Sequence, residues 1–274
     1  MDNYSVLMSV YDGEKPEYFK ESIESMLGQT LPPEQIVIVK DGPLTKDLDE
    51  VLKKYLDKHP DIFTVVSLKD NVGLGKALNK GLEYCRNELV ARMDTDDISV
   101  KERCEIQVKE FQNNNNLDIL GSYIGEFNEN PKEILSKRIV PLNHYDIIEF
   151  SKRRNPFNHP TVMYKKSVIL KHGGYKDYRR NQDLDLFVRL LLAGNRAKNI
   201  NESLVLFRAN DDNLKRRKSW SKCKSYIQMI YNFWRKGHSS FVDLFIVASS
   251  QILVYLAPSF FLNWISKVFL RKQN

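Results

Sequence analysis

Four consecutive residues after an apolar run carry the sharpest chemical signal in the sequence. Asp94-Thr95-Asp96-Asp97 places three carboxylates within four residues, directly after the run Glu88–Met93. Carboxylates this close repel one another unless a cation or the N-terminus of a helix offsets their charge. Their oxygens suit Mg²⁺ or Mn²⁺, which commonly take further oxygens from substrate phosphates. The cluster therefore predicts a divalent-cation site. The alternative is an acidic turn whose aspartates, Asp97 above all, cap the next helix.

Short apolar runs alternate with helical patterns over the first 100 residues. The strand-like runs are Ser5–Tyr11, Gln35–Val39, Phe63–Leu68 and Glu88–Met93, and the helical patterns lie at residues 16–29, 44–57 and 75–84. This β-α-β-α-β-α-β order predicts the α/β class, with a mostly parallel sheet flanked by helices. Ligands bind at the carboxyl ends of the strands in such sheets. We therefore expect Tyr11, Asp41, Gly73 and the acidic cluster to lie along one edge.

The order of elements changes after residue 97. Ser99 and Glu102 have the spacing of a capping box, which predicts a helix from there to about Gln112. The rest of the chain indicates short strands and loops, then a helix, then a helical and increasingly apolar tail, at residues 117–165, 183–193 and 219–274.

Composition and charge narrow the classes of protein. The 274 residues are 42% hydrophobic and 28% charged, which excludes a disordered or collagen-like chain. The three cysteines are too few and too scattered for a disulfide framework or a zinc site, so we expect a reducing compartment. Residues 1–150 hold 18 Lys/Arg and 28 Asp/Glu, a net charge of −10, whereas residues 151–274 hold 24 and 7, a net charge of +17. The second half is therefore expected to meet an anionic partner.

The strand-end motifs, taken in order, resemble family 2 of the inverting nucleotide-sugar glycosyltransferases, which have a GT-A (Rossmann-like) fold. The matching segments fall within residues 3–215 and are Ser5–Tyr11, Ile36–Gly42, Asn71–Gly81, Asp94–Asp97 and Gln182–Leu186 followed by Arg189. Three further stretches look like the branch that builds bacterial capsule and exopolysaccharide units, namely Val39–Pro43, Asn155–Met163 and Arg208–Arg217.

The resemblance implies a donor site for a nucleotide diphosphate sugar, a UDP-sugar in the first instance. Tyr11 would stack on the base, Asp41 would accept hydrogen bonds from the base or ribose, and Lys76 would reach the diphosphate. Core packing for Tyr11 and a solvated helix surface for Lys76 are the alternatives. Lys40 stands where the family usually has the first of two acids before the glycine. That acid often contacts uracil, so its absence counts against UDP as the nucleotide more than against the fold.

The acidic cluster takes a defined role under the same resemblance. Asp94 and Asp96 would hold Mn²⁺ or Mg²⁺, and Asp94 and Thr95 would contact the donor. A metal that bridges the phosphates would stabilise the negative charge of the leaving nucleoside diphosphate. In many relatives a histidine helps to hold the metal, and Asn210 stands in the corresponding stretch of this chain.

The resemblance also implies an acceptor side. Asp183 would be the general base that removes the proton of the acceptor hydroxyl, on the face opposite the leaving group. A helix N-cap is the alternative role for Asp183, and Asp185 is the rival base. Gln182, Asp185, His159 and Arg208 are expected to contact the acceptor. Arg208 and Arg216-Arg217 would bind diphosphate oxygens through their planar guanidinium groups. For a lone histidine such as His159, a structural role is the alternative.

The tail combines basic, aromatic and apolar residues. Basic and aromatic side chains are interleaved over residues 215–236, and 19 uncharged residues follow at 244–262. Such a basic segment can bind RNA, but its continuation into an apolar stretch favours a membrane interface. An in-plane helix, a single span, and packing against the protein or a partner subunit all stay open. Basic residues at both ends, Arg235-Lys236 and Arg271-Lys272, favour the in-plane arrangement.

Together these observations predict a metal-dependent inverting glycosyltransferase of the hexosyltransferase type. It would transfer a sugar to a lipid-linked glycan in surface polysaccharide synthesis, as a peripheral or monotopic protein on the cytoplasmic face of the cell membrane. Residues 1–215 would form the GT-A domain, with residues 1–97 binding the nucleotide sugar and residues 98–215 the acceptor. Residues 216–274 would associate with anionic lipid.

Partners and rival functions follow from the same features. A homodimer stays open, and nucleic acid is the weakest interpretation of the basic half because the basic residues lead into an apolar tail. One rival is a nucleotidyltransferase, which would need a glycine-rich phosphate loop after the first strand, where the chain reads Tyr11-Asp12-Gly13-Glu14-Lys15. The other is a non-catalytic protein that binds anionic lipid or nucleic acid through its basic half.

Overall fold

The first 100 residues alternate between strands and helices close to the predicted positions. The computed structural model describes residues 3–178, 180–209 and 219–256. The chain begins β1 (Tyr4–Val10), α1 (Pro16–Leu27), β2 (Gln35–Lys40), α2 (Lys46–Lys58), β3 (Phe63–Ser67), α3 (Leu74–Tyr84) and β4 (Leu89–Arg92). Local chemistry sets the helix starts, because Pro16 opens α1 and Thr45 Oγ1 accepts a hydrogen bond from the Leu48 N–H at the start of α2.

The remaining elements are less regular in order. They are β5 (Ile98–Ser99), α4 (Arg103–Asn113), β6 (Leu117–Phe127), β7 (Ser136–Arg138), α5 (His144–Ser151), a 3₁₀ turn (His159–Thr161), β8 (Met163–Lys165), α6 (Lys166–Lys171), α7 (Gln182–Leu192), β9 (Arg196–Arg208), α8 (Trp220–Arg235) and α9 (Phe241–Leu256).

The strands in the described part of the chain form one sheet. Its order is β3-β2-β1-β4-β8-β6-β9-β5, with β7 paired to β6. Strands β3, β2, β1 and β4 are parallel, β8 is antiparallel to β4 and β6, and β6 and β9 are again parallel. The predicted α/β fold with a mostly parallel sheet is confirmed. The carboxyl ends of β1, β2 and β4 meet at one edge, which positions the residues that follow them.

Helices cover both faces of the sheet. Side chains alternate between the two faces along each strand, and the strands carry apolar side chains on both faces. On one face Val6 and Met8 of β1 belong to a core with α1, α2 and α4. On the other face Leu7 packs in a core with α3, α5, α6 and α7. The α8–α9 hairpin adds a further layer, since Ile230 and Phe233 of α8 pack against the outer side of α7.

The predicted capping box at Ser99 is wrong. Ser99 ends β5, which pairs with β9, and α4 begins only at Arg103. The Ser99 N–H donates to Ser25 Oγ (3.0 Å), and its hydroxyl accepts from Gln29 Nε2 (3.1 Å). Contacts with distant parts of the chain therefore use the groups that a local cap would have used.

The C-terminal part of the described chain is helical, as the sequence predicts. Ser219 Oγ caps α8 by accepting a hydrogen bond from the Lys222 N–H (3.3 Å). Within the ranges that the structure describes, no helix combines the length and hydropathy needed to cross a bilayer. Residues 257–262 of the predicted apolar stretch, and the basic pair at 271–272, lie outside those ranges.

Candidate active site

A cavity of about 660 Å³ lies at the carboxyl edge of β1, β2 and β4. We call it the donor cavity, and its lining includes Tyr11, Asp41, Asp94, Thr95 and Asp96. Tyr11 follows β1 and keeps 40% of its surface exposed, so its ring is accessible to a ligand. The fold thus brings five of the predicted donor-side residues to one place.

The acidic cluster has the geometry of a cation site. One carboxylate oxygen from each of Asp94, Asp96 and Asp97 lies within 4.8 Å of the others. Burial, with the nearby charges of Asp94 and Glu14, raises the pKa of Asp96 to about 7. Burial also raises the pKa of Asp97 well above its ordinary range, with further contributions from Asp96 and Asp94. Burial is the main cause of both shifts, and the mutual repulsion of the neighbouring carboxylates adds to it.

Two buried arginines contact the acidic cluster through an ion pair and hydrogen bonds. The buried Arg92 forms an ion pair with Asp94. The Arg208 N–H donates to Asp97 Oδ1 (3.0 Å), its Nε donates to the Asp96 carbonyl (3.1 Å), and its guanidinium pairs with Glu21. The same guanidinium lies 3.9 Å from the centre of the Tyr18 ring. Arg208, predicted to contact the acceptor, is therefore buried beneath the loop and engaged by protein groups.

Thr95 and Asp41 also make internal contacts. Thr95 Oγ1 donates to Glu14 Oε2 (2.8 Å), and burial raises the pKa of that glutamate. The Asp41 carboxylate accepts hydrogen bonds from the N–H groups of Val72 (2.7 Å) and Gly73 (3.1 Å). Asp41 thus fixes the loop before α3, and Gly73 permits this loop through its left-handed backbone (φ +89°).

Lys76 lies beside the donor cavity rather than in its lining. Its Nζ forms an ion pair with Asp177 (2.7 Å), and its side chain is half exposed. It lines an adjoining cavity of about 380 Å³ together with Gln182, and this cavity shares Asn71 and Gly73 with the donor cavity. Reaching a donor phosphate would require Lys76 to exchange its acidic partner.

A further cavity of about 480 Å³, which we call the acceptor cavity, adjoins the donor cavity at Asp94. Its lining includes His159 and Asp183. Asp183 lies in the first turn of α7, accepts a hydrogen bond from Asn155 Nδ2 (2.6 Å), and burial raises its pKa. His159 Nε2 is hydrogen-bonded to the Tyr175 hydroxyl (2.9 Å), and burial, together with Arg92, lowers the pKa of His159 well below its ordinary value.

Asp185 is directed away from this cavity. It is buried, and it accepts a hydrogen bond from Arg189 Nε (2.7 Å). Arg189 also donates to the carbonyls of His172 and Gly174, each at 2.6 Å. The second aspartate of α7 thus ties the helix to the preceding loop, and the first one lines the cavity.

Several residues of the site were missed by sequence reasoning, namely Glu14, Arg92, Asn155 and Tyr175. Arg92 had a usable signal, since a charged residue within an apolar strand run implies a buried partner of opposite charge. Asn155 and Tyr175 carry no such local signal, because their partners are 28 and 16 residues away in the chain.

The residues present fit a divalent cation. Carboxylate oxygens form the donor set, which is the chemistry that Mg²⁺ and Mn²⁺ prefer. Asp97 Oδ2 is buried without a hydrogen-bond partner among the described residues. An unpaired buried carboxylate oxygen is costly unless a cation or proton meets it. Asp94 and Asp96 face the donor cavity, so a cation held there would be accessible to a phosphate.

Known proteins that are similar in sequence to this chain are glycosyltransferases. The model of the family "Glycosyl transferase family 2" matches residues 5–180. The amylovoran biosynthesis glycosyltransferase AmsE of Erwinia amylovora is 38% identical, over 82% of this chain and 84% of its own. An Escherichia coli protein named UDP-Gal:alpha-D-GlcNAc-diphosphoundecaprenol beta-1,3-galactosyltransferase is 35% identical, over 98% of this chain and 97% of its own.

A solved structure extends the comparison to the fold. The mannosyltransferase PcManGT of Pyrobaculum calidifontis superposes with a TM-score of 0.66 at 14% identity, over 93% of this chain and 70% of its own. The family match decides against the nucleotidyltransferase and the non-catalytic binding protein. The chain is a glycosyltransferase with a GT-A fold, and it belongs to glycosyl transferase family 2.

Proposed function

We propose that the protein is a metal-dependent inverting glycosyltransferase that transfers a sugar from a nucleotide diphosphate sugar to a lipid-linked glycan in surface polysaccharide synthesis. The names of its relatives support this proposal. One acts in amylovoran biosynthesis, and another is named for UDP-Gal as donor and a diphosphoundecaprenol-linked GlcNAc as acceptor. PcManGT is described in complex with GDP-Man and Mn²⁺.

The observation that carries the proposal is the shared position of Asp94. Its carboxylate lines both the donor cavity and the acceptor cavity, and Asp183 lines the acceptor cavity. A donor bound by the acidic cluster would therefore place its anomeric carbon near the junction. An acceptor hydroxyl could approach from the side of Asp183, which is the arrangement that inversion needs.

In this mechanism Tyr11 would stack on the base, Asp41 and Thr95 would contact the donor, and Asp94 and Asp96 would hold Mn²⁺ or Mg²⁺. When bound, the ion supplies positive charge for the leaving diphosphate. The acceptor oxygen attacks the anomeric carbon, and the bond from that carbon to the diphosphate oxygen breaks with its electron pair. The acceptor proton passes to a carboxylate oxygen of Asp183.

The acceptor side is expected to use the remaining predicted residues. His159 and Gln182 line the cavities beside Asp183 and would contact the acceptor. Asn155 would orient Asp183 through their hydrogen bond. Lys76 would approach the diphosphate from the cavity next to the donor site.

Association with the membrane is the second part of the proposal. Outward-facing side chains of the α8–α9 hairpin are large and apolar, among them Trp220, Trp234, Phe241, Phe245, Leu253 and Leu256. An exposed apolar face of this kind is typical of interfacial helices. We propose that residues 216–274 hold the GT-A domain of residues 1–215 on the cytoplasmic face of the cell membrane, against anionic lipid.

The test is sugar transfer by the purified protein. UDP-, GDP- and dTDP-sugars would be supplied with Mn²⁺ or Mg²⁺ and a lipid-linked GlcNAc diphosphate acceptor. Asp183→Asn is expected to lower kcat by about 10²–10⁴-fold, the usual worth of a general base. Asp94→Asn is expected to abolish metal-dependent transfer, and Asp57→Asn on exposed α2 surface is the matched control. Wild-type transfer rates in both active-site variants would refute the assignment.

A further inference from the structure

A further cavity, of about 560 Å³, lies between the start of α7 and the α8–α9 hairpin. We call it the hairpin cavity. It shares His159, Asp183 and Tyr226 with the acceptor cavity, and its other lining residues include Arg180, Lys222 and Val254. The donor, acceptor and hairpin cavities therefore follow one another, with Asp94 at the first junction and Asp183 at the second.

Two cationic side chains line the hairpin cavity. Arg180 precedes α7, and its Nη1 donates to Ser219 Oγ (3.3 Å) at the start of α8. Lys222 lies in the first turn of α8. Their positive charges face a lining in which Asp183 is the acidic group. The lining thus carries two cations and one acid, a balance that favours an anionic ligand.

The backbone between Arg180 and the proposed base Asp183 contains a residue with a positive φ angle. Asn181 is left-handed (φ +58°), and its Nδ2 contacts Ser225 Oγ (3.4 Å) on α8. A left-handed residue other than glycine costs about 1 kcal/mol or more and is retained where the surroundings hold it. The turn at Asn181 lets Arg180 and Asp183 line one cavity although they are three positions apart.

We propose that the hairpin cavity binds the diphosphate of the lipid-linked acceptor, with Arg180 and Lys222 contacting its phosphate oxygens. This assignment rests on the proposed function. An acceptor sugar at Asp183 that is linked directly to a diphosphate would extend past Asp183 into this cavity. Arginine is suited to phosphate because its planar fork matches two oxygens at once.

The lipid part of the ligand has a matching exit. Gln251 and Val254 of α9 line the hairpin cavity, whereas Leu253 and Leu256 on the same helix are exposed. A hydrocarbon chain attached to the diphosphate would leave the cavity beside this apolar surface. The proposal therefore favours a lipid diphosphate over free diphosphate, with its hydrocarbon chain continuing toward the membrane.

Binding is tested first without any sugar transfer. Undecyl diphosphate is titrated by calorimetry into the full chain, with inorganic diphosphate as a second probe. Arg180→Gln and Lys222→Gln are each expected to weaken undecyl diphosphate binding at least tenfold. Lys224→Gln, an exposed lysine of the same helix, is the matched control and should bind as the wild type does. Equal affinities in all variants would overturn the site, and equal affinity for both probes would overturn the lipid assignment.

Steady-state kinetics then distinguish a loss of diphosphate binding from a loss of catalysis. With GlcNAc-diphospho-undecane as acceptor, Arg180→Gln should raise the acceptor KM at least tenfold and leave the donor KM unchanged. With undecyl GlcNAc, which lacks the diphosphate, the variant and the wild type should have equal kcat/KM. A similar loss on both acceptors would show a structural role and overturn the proposal. Absence of transfer by the wild type would refute the proposed function, while the calorimetric result would still decide the diphosphate site.

Discussion

Arg92 is a buried charge that acts on carboxylates of both the donor cavity and the acceptor cavity. It is 1% exposed, pairs with Asp94, and has two guanidinium nitrogens, Nε and Nη1, without hydrogen-bond partners within the described ranges. A buried arginine is tolerated only where acids surround it, and Asp94 and Asp97 are close enough to act on it. Its charge also opposes the rise that burial causes in the pKa of Asp183. One fixed cation therefore influences the carboxylates of the donor and acceptor cavities together.

Asn155→Ala is expected to move the acidic limb of the pH–kcat/KM profile upward by about one pH unit. The amide donates to the charged form of Asp183, so its removal raises a pKa that burial has already raised. A hydrogen bond to a charged group is worth about 1.5–3 kcal/mol, and one pKa unit corresponds to about 1.4 kcal/mol. A base must be ionised, so activity is lost as the pH falls through this pKa.

The measurement is the pH profile of wild type, Asn155→Ala and the exposed control Asn116→Ala. Arg92, Tyr175 and Tyr226 also act on Asp183 and are unchanged in both variants. A limb that stays in place, or moves to lower pH, would contradict the role of Asn155.

Arg208→Lys is expected to lower the free energy of unfolding by about 2 kcal/mol, the worth of one hydrogen bond with a charged group. Lysine keeps the charge but loses the planar contact with Tyr18 and Phe127 and the Nε bond to the Asp96 carbonyl. Urea unfolding measures the change. Arg86→Lys, at an exposed arginine, is the control and should change stability by about 0.5 kcal/mol or less.

Helix α3 approaches the sheet so closely that one position on it must be glycine. A Cβ at Gly81 would overlap Leu7 and lie 2.6 Å from Val39 Cγ2. Both neighbours belong to central parallel strands, so neither can move without disturbing the sheet. The close approach matters for the site because the N-terminal end of α3 follows the loop that Asp41 holds.

Gly81→Ala should therefore destabilise the protein by about 1–3 kcal/mol, the usual cost of overpacking. This cost outweighs the gain of about 1 kcal/mol in helix propensity that alanine offers over glycine. Glu83→Ala, which places the same residue on the exposed side of α3, should change stability by about 0.5 kcal/mol or less. Chemical unfolding of the two variants provides the comparison, and a more stable Gly81→Ala protein would show that the packing can relax.

At the scale of the whole molecule, the charge is divided between two parts of one fold. The net charge of −10 over residues 1–150 includes the acidic cluster at the donor cavity, and the net charge of +17 beyond them includes Arg180 and Lys222 at the hairpin cavity. A cation carried by a nucleotide sugar would thus meet acidic surroundings, and an anionic lipid acceptor would meet basic ones.

The double variant Phe245→Ser/Leu253→Ser should bind vesicles of anionic phospholipid at least tenfold more weakly than the wild type. These side chains are 63% and 58% exposed, and burying an apolar side chain in the interface is worth about 1.5–3 kcal/mol. Leu135→Ser, which is also 58% exposed but precedes β7 rather than belonging to the hairpin, is the control. Vesicle co-sedimentation measures the binding, and unchanged binding of the double variant would contradict the membrane assignment.

The sequence by itself determined the alternation of strands and helices, the α/β class, and the edge where ligands bind. These features follow from local periodicity and from carboxylates placed directly after a buried strand. The long pair β6–β9 was not predicted, because the sequence indicated only short strands over residues 117–165. Its pairing joins residues about 80 positions apart, as between Leu120 and Lys198, and no local pattern encodes such a partner.

Only the tertiary structure decided which predicted side chains face a cavity. Asp183 and Asp185 differ by two positions on one helix, yet the first lines the acceptor cavity and the second pairs with Arg189. Arg208 lies under the acidic loop because its partners Asp97 and Glu21 come from 111 and 187 residues earlier in the chain. Residue type and spacing state what chemistry a side chain can perform. Its direction depends on packing against distant segments, which exists only once the chain has folded.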